Sequence, residues 1–428
     1  MGAYNIMKYN SVRRNNEAQN EEIFIKIILF ILWPFFSFLY SLKTPNRRSS
    51  HIIFFLFGIL FGWSMYFQGI GIDFHVIVER FYEQEQITFS ELINIISSTL
   101  TFQSDNKDCY NIFLNWLTKI FSNNFHLLFT LAAIPYTYFL LKSLSFITSD
   151  KVKFKNSIYG LAIIILFVLP KDLFDIQNFR FGTAFWIAIY CILQIFYQNK
   201  FKYIILLLLT PYIHSSFWFL IIITLGYYLL KRIRKFNNLL YFCSIPFAFI
   251  APDILGQINL NFLPGIFQKW AEGYLSDEIQ ETFGMHSIYN GSGFFWIQIL
   301  FTLFKQVLYL IIPLLLLKEF KKKSYDNRIQ SLSSFYIFYF SIVNFCQFIP
   351  VLGSRFWDIA RVLSIFLWFK IIYQKNSAKS NKYIFLLLIS SSFDFITKFR
   401  LYSLILEPDF LISNTISLIA KYWNVYSY

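Results

Sequence analysis

Several arginines stand at the ends of long apolar segments in this chain of 428 residues. Arg180 follows Gln177 and Asn178 and opens one such segment. The other arginines of this kind are Arg355, Arg361 and Arg400. Since the planar fork of arginine binds phosphate oxygens at two points, we predict that these four arginines, with the two amides beside Arg180, bind an anionic ligand. In the alternative, they pair with Asp358 and Asp394 or extend to lipid headgroups.

Two residues could remove a proton from a substrate. His214 precedes two serines, and Asp73 follows Gly71 and Ile72. The unperturbed pKa of histidine, about 6.5, suits a base near neutral pH, and a carboxylate can have the same role. Each residue also has a plainer interpretation: a histidine bonded to a nearby carbonyl, and a solvated loop carboxylate. Both stay candidates for the base.

The chain lacks the motifs of cofactor and metal chemistry. It has no Walker A loop, GxGxxG, HExxH, CxxC or DxD motif, and its four cysteines are scattered. We therefore expect no metal site, no cofactor and no disulfide framework. If the chain is an enzyme, we expect its substrate to arrive already activated and attached to a lipid. A lipid pyrophosphate is the natural candidate for this anionic ligand.

Composition indicates a membrane protein. Of all residues, 56% are hydrophobic and 14% are charged, whereas about one quarter of a soluble protein is charged. The apolar residues fall in blocks of roughly 20 residues or slightly fewer, the length that spans a bilayer as a helix. The net charge of +14 comes from short basic clusters between these blocks, as membrane insertion requires. We therefore expect membrane lipids, and no nucleic acid, as partners.

The blocks predict one all-α domain over residues 1–428 with about twelve membrane spans. The segments are about 23–42, 51–70, 125–141, 157–170, 181–198, 203–213, 217–230, 239–252, 294–317, 331–350, 362–373 and 383–397. A further stretch, 401–420, is interrupted by Glu407, Pro408 and Asp409 and is an extra or re-entrant segment. Six basic loops, +18 in total, alternate with acidic or near-neutral loops. By the positive-inside rule, the basic loops are cytoplasmic and both termini lie outside.

Two external loops are long enough to fold. Loop 71–108 has a net charge of −5, and Thr88 and Glu91 have the spacing of a capping box. We predict that they start a short helix that lies at the membrane surface. Loop 253–293 has a net charge of −4 and carries Trp270 and Tyr274 on one helical face. These two aromatic residues could stack on sugars, although aromatic residues at helical spacing more often pack in a core.

One pair of spans is unusually short. Only 28 residues separate the basic clusters at 200–202 and 231–235, so each leg has about 14 residues where a full crossing needs about 20. Pro211 and His214 mark the bend. We predict that the bend stops within the membrane and that His214 lies beside Arg180 in a cavity open to the outside.

These motifs resemble those of one enzyme family, the EpsG-like branch of the Wzy oligosaccharide repeat-unit polymerases. The similarity lies in Gly71-Ile72-Asp73, Tyr110-Asn111-Ile112-Phe113-Leu114, Asn123-Asn124-Phe125, Gln177-Asn178-Phe179-Arg180-Phe181-Gly182 and Tyr212-Ile213-His214-Ser215-Ser216. Two departures are visible, because Ile77 stands where the family has tyrosine and the usual Asn-Gln-x-Arg is permuted to Gln-Asn-Phe-Arg.

The resemblance implies a fold similar to the GT-C class and a metal-independent glycosyltransferase. Such polymerases transfer a growing glycan from undecaprenyl pyrophosphate to a new lipid-linked repeat unit on the outer face of the bacterial inner membrane. The implied site contains Arg180, His214 and Asp73 as catalytic residues and faces the periplasm. A polysaccharide chain-length regulator is an implied partner.

Three other classes of membrane protein remain as alternatives. An O-antigen ligase shares the fold and the donor, and a flippase for the lipid-linked unit also has twelve or more spans. A flippase, however, would show two similar halves, which this sequence lacks. A membrane-bound acyltransferase would have its histidine deeper in a span, with a second polar partner.

Overall fold

The computed structural model describes residues 20–66, 73–103, 108–149, 157–230, 234–249, 295–322, 325–347, 350–372 and 378–423. Over these residues the chain is helical and contains no strand, as predicted. In chain order the helices are α1 (20–32), α2 (Pro34–Ser41), α3 (Arg48–Trp63), α4 (Asp73–Glu83), α5 (Phe89–Leu100), α6 (Tyr110–Phe121), α7 (Phe125–Thr148), α8 (Ile158–Val168), α9 (Phe179–Ile192), α10 (Ile204–Leu208), α11 (Thr210–Ile213), α12 (Trp218–Leu230), α13 (Arg234–Ser244), α14 (Phe295–Lys322), α15 (Asn327–Phe345), α16 (Pro350–Ile371), α17 (Ala378–Ser390), α18 (Ser392–Ile405) and α19 (Thr415–Trp423).

The described residues form two compact units. The first unit takes its residues from Met1–Leu161, Asp172–Trp186 and Lys398–Tyr428. The second takes them from Ala162–Lys171 and Ile187–Thr397. The single membrane domain over residues 1–428 stays a prediction.

Two helices are long and apolar enough to cross a membrane. They are α7, with a mean hydropathy of 1.5, and Ile299–Phe320 within α14, with a mean hydropathy of 2.2. Shorter apolar helices lie at Arg48–Trp63, Phe201–Ile213 and Ser215–Leu230. The number of spans, twelve, stays a prediction.

The predicted span 23–42 is divided in two. Trp33 separates α1 from α2 with φ −156° and ψ 86°, and Pro34 is the first residue of α2. A residue before proline is excluded from the helical region by the proline ring, while proline itself fits the first helical turn. The sequence contained this signal, and the predicted segment 23–42 is built from two helices.

The predicted span 383–397 is also interrupted, at Ser391 between α17 and α18. The side chains of Ser390 and Ser392 donate to the carbonyls of Leu387 and Ile389, at 2.9 and 2.7 Å. Serine hydroxyls that bond the backbone in this way compete with the helical pattern. The three consecutive serines therefore account for the break.

Within the first unit, α3 packs closely on α7 through two glycines. Gly58 and Gly62 lie four residues apart on α3 and face α7. A Cβ added at Gly62 would lie 2.6 Å from the carbonyl oxygen of Phe129, and one at Gly58 would clash with Thr137. Small residues four apart let the backbones of two membrane helices approach each other.

Within the second unit, buried tyrosines tie the helices together through their hydroxyls. Tyr339 on α15 donates to the carbonyl of Phe356 on α16 at 2.8 Å, and Tyr336 shares a hydrogen bond of 2.6 Å with Ser364. A buried phenol needs such a partner, because an unpaired hydroxyl in an apolar environment is costly. These bonds fix α16 against α15, and α16 carries two of the candidate arginines.

Two local predictions from the sequence are confirmed. The Thr88 hydroxyl accepts the Glu91 N–H at 3.3 Å, and the Glu91 carboxylate accepts the Thr88 N–H at 2.7 Å, so the capping box starts α5. The bend of the short hairpin lies at His214, which has extended backbone angles between α11 and the turn Ser215–Phe217. Loop 253–293, with its aromatic pair, lies outside the described residues.

Candidate functional site

Arg180 lies in the first turn of α9, in the first unit. Asp172 caps the preceding turn, because its Oδ1 accepts the N–H of Phe174 at 3.0 Å. That turn, Leu173–Asn178, continues directly into α9 at Phe179. Gly182, one turn further on, meets the ring of Tyr136 so closely that a Cβ would clash. The position of the Arg180 backbone is therefore set by the turn before it and by α7 beside it.

The guanidinium of Arg180 has one described ionic partner. Its Nη1 lies 3.3 Å from Oδ2 of Asp108, which is almost fully buried. The Nε of Arg180 is buried and has no hydrogen-bond acceptor among the described residues, and 29% of the side chain is exposed. Since a guanidinium has five donors, Arg180 can still bind a ligand. Asp108 was missed by the sequence analysis.

A distant lysine contacts two aspartates in and next to the turn that precedes Arg180. The ammonium of Lys398, on α18, lies 2.9 Å from Oδ2 of Asp172 and 3.2 Å from Oδ2 of Asp175. Burial raises the pKa of the Asp172 carboxyl, Lys398 lowers it, and the charge of Asp175 raises it again, with a net increase. In the same turn, Gln177 is buried and its Oε1 lacks a donor among the described residues. The neighbouring amide, Asn178, is half-buried.

Arg361, in the second unit, belongs to a dense ionic network. Its Nη1 lies 3.1 Å from Asp358, one turn back on α16, and its Nη2 lies 3.0 Å from Asp394. Two lysines complete the network, since Lys305 lies 2.7 Å from Asp394 and Lys171 lies 3.4 Å from Asp358. Only 8% of the Arg361 side chain is exposed. The alternative interpretation of Arg361 from the sequence, pairing with Asp358 and Asp394, is the arrangement found.

This network corrects one feature of the predicted topology. The sequence placed residues 353–361 in a loop, whereas α16 begins at Pro350 and contains them all. Arg361 also lies 5.5 and 5.7 Å from the ring centres of Tyr309 and Trp357. Nearby carboxylates and aromatic rings stabilise the guanidinium of Arg361. Its side chain can therefore be buried on α16 and need not lie in a solvated loop. Lys305, the one charged residue of the predicted segment 294–317, was the sequence signal for this network.

His214 is buried at the bend of the short hairpin, in the second unit. Its Nδ1 accepts the N–H of Ser216 at 3.3 Å and lies 2.8 Å from the hydroxyl of the same serine. A ring nitrogen that accepts an N–H carries no proton, so in the neutral ring the proton is on Nε2. In this arrangement Nε2, and not Nδ1, is the donor nitrogen of the His214 ring.

The turn after His214 packs against the helix that carries Arg361. The ring of Phe217 lies 5.5 Å from the ring of Phe356 on α16, and the ring of Phe219 lies 5.0 Å from it. Phe356 precedes Arg361 by five residues, which is about 7.5 Å along a helix. The second unit therefore brings the His214 turn and the Arg361 network to neighbouring parts of the fold.

The remaining predicted site residues are more scattered. Arg355 is half-buried on α16, three residues before Asp358, and Arg400 is exposed on α18. Asp73 is the first residue of α4, and only its backbone is described. Trp270 and Tyr274 lie outside the described residues. Among the residues that the structure does describe, no group of three or more His, Cys, Asp or Glu side chains could hold a metal ion.

Comparison with known proteins gives one family. The model of the EpsG family matches residues 52–406, which is most of the chain. The chain belongs to the EpsG family. Membership identifies this EpsG-family chain as a membrane protein of polysaccharide biosynthesis with a polymerase-type function. The resemblance read from its motifs is thereby confirmed. No curated protein and no solved structure matches the chain.

Proposed function

We propose that this EpsG-family chain polymerises lipid-linked oligosaccharide repeat units. In each cycle it transfers the growing glycan from undecaprenyl pyrophosphate to the non-reducing end of a new lipid-linked unit and releases undecaprenyl pyrophosphate. The product is an O-antigen, a capsule or an exopolysaccharide. The observation that carries the proposal is the family match over residues 52–406. It includes Arg180 and His214, within the motifs that the family resemblance rests on.

Arg180 is the residue to which we assign the donor pyrophosphate. As the glycosidic bond breaks, its electron pair stays with the leaving pyrophosphate oxygen, and negative charge develops there. A preorganised guanidinium stabilises such charge without a metal. Two observations support Arg180 in this role: it is partly exposed, and its Nε has no described acceptor. The terminal nitrogens of Arg361, by contrast, already bind two carboxylates, so we assign Arg361 to holding α16 in place.

The acceptor hydroxyl must lose its proton as it attacks the anomeric carbon. His214 and Asp73 are the proposed residues, and their roles differ. Because Nδ1 of His214 is engaged by Ser216, the neutral ring presents Nε2–H, which suits contact with a phosphate or sugar oxygen. We therefore propose that His214 orients the donor and that Asp73, the other candidate from the sequence, takes the proton.

The proposed location is the bacterial inner membrane, with a multi-pass topology and a site that faces the periplasm. Membrane lipids surround the chain, and a chain-length regulator is a proposed partner. The exposed large apolar side chains on helices such as α7 and α14 support contact with lipid.

A deletion strain complemented with variants tests the proposal. Without this chain, the surface glycan should carry a single repeat unit, and wild-type complementation should restore long chains on a gel. We expect Arg180→Gln to leave single units at a wild-type protein level. Arg180→Lys should restore few long chains, since lysine keeps the charge but lacks the fork. Arg328→Gln is the matched control, because Arg328 is an exposed arginine outside the proposed site, and it should behave as wild type.

Other gel patterns would contradict the proposal in recognisable ways. A deletion strain with no surface glycan at all would indicate a ligase or a flippase. Long chains made by Arg180→Gln would exclude Arg180 as the ligand of the leaving group.

A further inference from the structure

We infer that Lys398 is a positioning residue for Arg180. Lys398 lies on α18, more than two hundred residues beyond the turn that precedes Arg180, and nothing in the sequence motifs assigns it a role. The inference rests on the proposed function, because it assumes that Arg180 binds the donor pyrophosphate.

The contact geometry supports this role. The ammonium of Lys398 contacts Asp172, which caps the turn Leu173–Asn178, and Asp175, which lies inside that turn. All three side chains are largely buried, with 16 to 19% exposed. Charge-assisted contacts at this depth are screened little by water, so one lysine holds the turn at two points.

A second contact from α18 reaches the same turn. Tyr402, one helical turn after Lys398, packs its ring edge-on against Phe174 at 5.6 Å. On the other side of the turn, the Tyr136 hydroxyl donates to the carbonyl of Asp172. The turn is therefore held between α18 and α7.

Loss of the ammonium would change the turn in a defined way. Asp172 and Asp175 would then repel each other without the cation between them. Asp172 also caps the turn by accepting the N–H of Phe174. Asp175 lies five positions before Arg180 in the sequence. The turn continues into α9 without a break, so a displacement at Asp175 moves the guanidinium relative to its ligand. Small displacements of a catalytic group cost large factors in rate.

Hydrogen exchange on the full chain in detergent micelles tests the positioning directly. We expect Lys398→Met to speed amide exchange over residues 172–180 by roughly fivefold or more. Lys398→Arg should restore slow exchange, since arginine can contact both carboxylates. Arg400→Met is the matched control, an exposed cation two residues further along α18, and it should leave exchange unchanged. Unchanged exchange in Lys398→Met would overturn the inference.

Kinetics in membrane vesicles test the consequence for Arg180. The substrate is the undecaprenyl-pyrophosphate-linked repeat unit extracted from the deletion strain. We expect Lys398→Met to lower kcat/KM roughly tenfold or more in the wild-type background and to have a much smaller effect in the Arg180→Lys background, which keeps measurable activity. Such non-additivity is the mark of two residues that act as a unit.

The two measurements separate the possible failures. Equal losses in both backgrounds would show that Lys398 acts independently of Arg180 and would overturn the inference. Faster exchange in Lys398→Met together with full activity of Arg180→Gln would instead overturn the proposed role of Arg180, while Lys398 would still hold the turn.

Discussion

Arg180 and Arg361 show how one residue type can have two roles in the same chain. Arg361 binds a carboxylate at each terminal nitrogen and is almost fully buried. Arg180 binds Asp108 through one nitrogen at 3.3 Å and keeps part of its side chain exposed. A guanidinium with a saturated fork stabilises the fold, whereas one with spare donors can exchange its partner for a ligand. Asp108 is therefore a competitor of any anion that binds Arg180.

This competition predicts a gain of affinity when Asp108 loses its charge. Asp108→Asn should lower the KM for the lipid-linked repeat unit by about two- to fivefold. The pair is long, at 3.3 Å, and 29% of the Arg180 side chain is exposed, so we expect the pair to be worth about 1 kcal/mol or less. The measurement is the KM of variant and wild-type chains in membrane vesicles.

Glu85→Gln serves as the control for Asp108→Asn. Glu85 is an exposed carboxylate in the same predicted loop, so its loss changes the net charge equally and should leave the KM unchanged. A higher KM in Asp108→Asn would mean that Asp108 holds Arg180 in its binding position.

At the scale of elements, the contact of α3 with α7 depends on two positions without side chains. Gly62 approaches the backbone of Phe129 so closely that no Cβ fits. The Gly-x-x-x-Gly spacing within an apolar segment was the sequence signal for this contact, and the sequence analysis did not use it. The contact is made by backbone and cannot adjust by rotating a side chain.

Gly62→Ala is therefore expected to destabilise the chain. The cost should be about 1–3 kcal/mol, as for other overpacked interiors, and it should appear as a lower unfolding temperature in detergent. Gly226→Ala is the matched control, since its Cβ would lie 3.8 Å from the nearest atom of Phe338. Alanine favours a helix more than glycine does, so Gly226→Ala should keep or raise the unfolding temperature. Equal unfolding temperatures for both variants would contradict the close approach of α3 and α7.

What the sequence predicted correctly was local. The capping box at Thr88, the bend at His214 and the helix opened near Arg180 all depend on neighbouring residues and were found as expected. The partners of the candidate residues were not predictable in this way. Asp108 lies 72 residues from Arg180 in the chain, and Asp394 lies 33 residues from Arg361. Only the packing of helices decides which of many distant carboxylates meets each cation.

At the scale of the whole molecule, the sidedness of α7 decides where the proposed reaction occurs. This helix has 24 residues, about 36 Å at 1.5 Å for each residue, which is enough to cross a hydrocarbon core of about 30 Å. Loop 71–108 before it has a net charge of −5, while 142–156, which includes its last two turns, has a net charge of +3. By the positive-inside rule, we predict that the acidic side is external, and that Asp108, the partner of Arg180, lies on that side.

Single cysteines on either side of α7 test this orientation. Ser97 on α5 and Ser149 after α7 are both exposed, so each can report the compartment it faces once the four native cysteines are replaced by serine. In intact cells with a permeabilised outer membrane, we expect a membrane-impermeant thiol reagent to label Ser97→Cys and to miss Ser149→Cys. Lysis should then make Ser149→Cys reactive, which is the control for accessibility.

Two labelling patterns would contradict this orientation. Labelling of Ser149→Cys alone would mean that the topology is inverted and that the acidic loop, with Asp108, lies at the cytoplasmic face. Labelling of both in intact cells would mean that α7 does not cross the membrane.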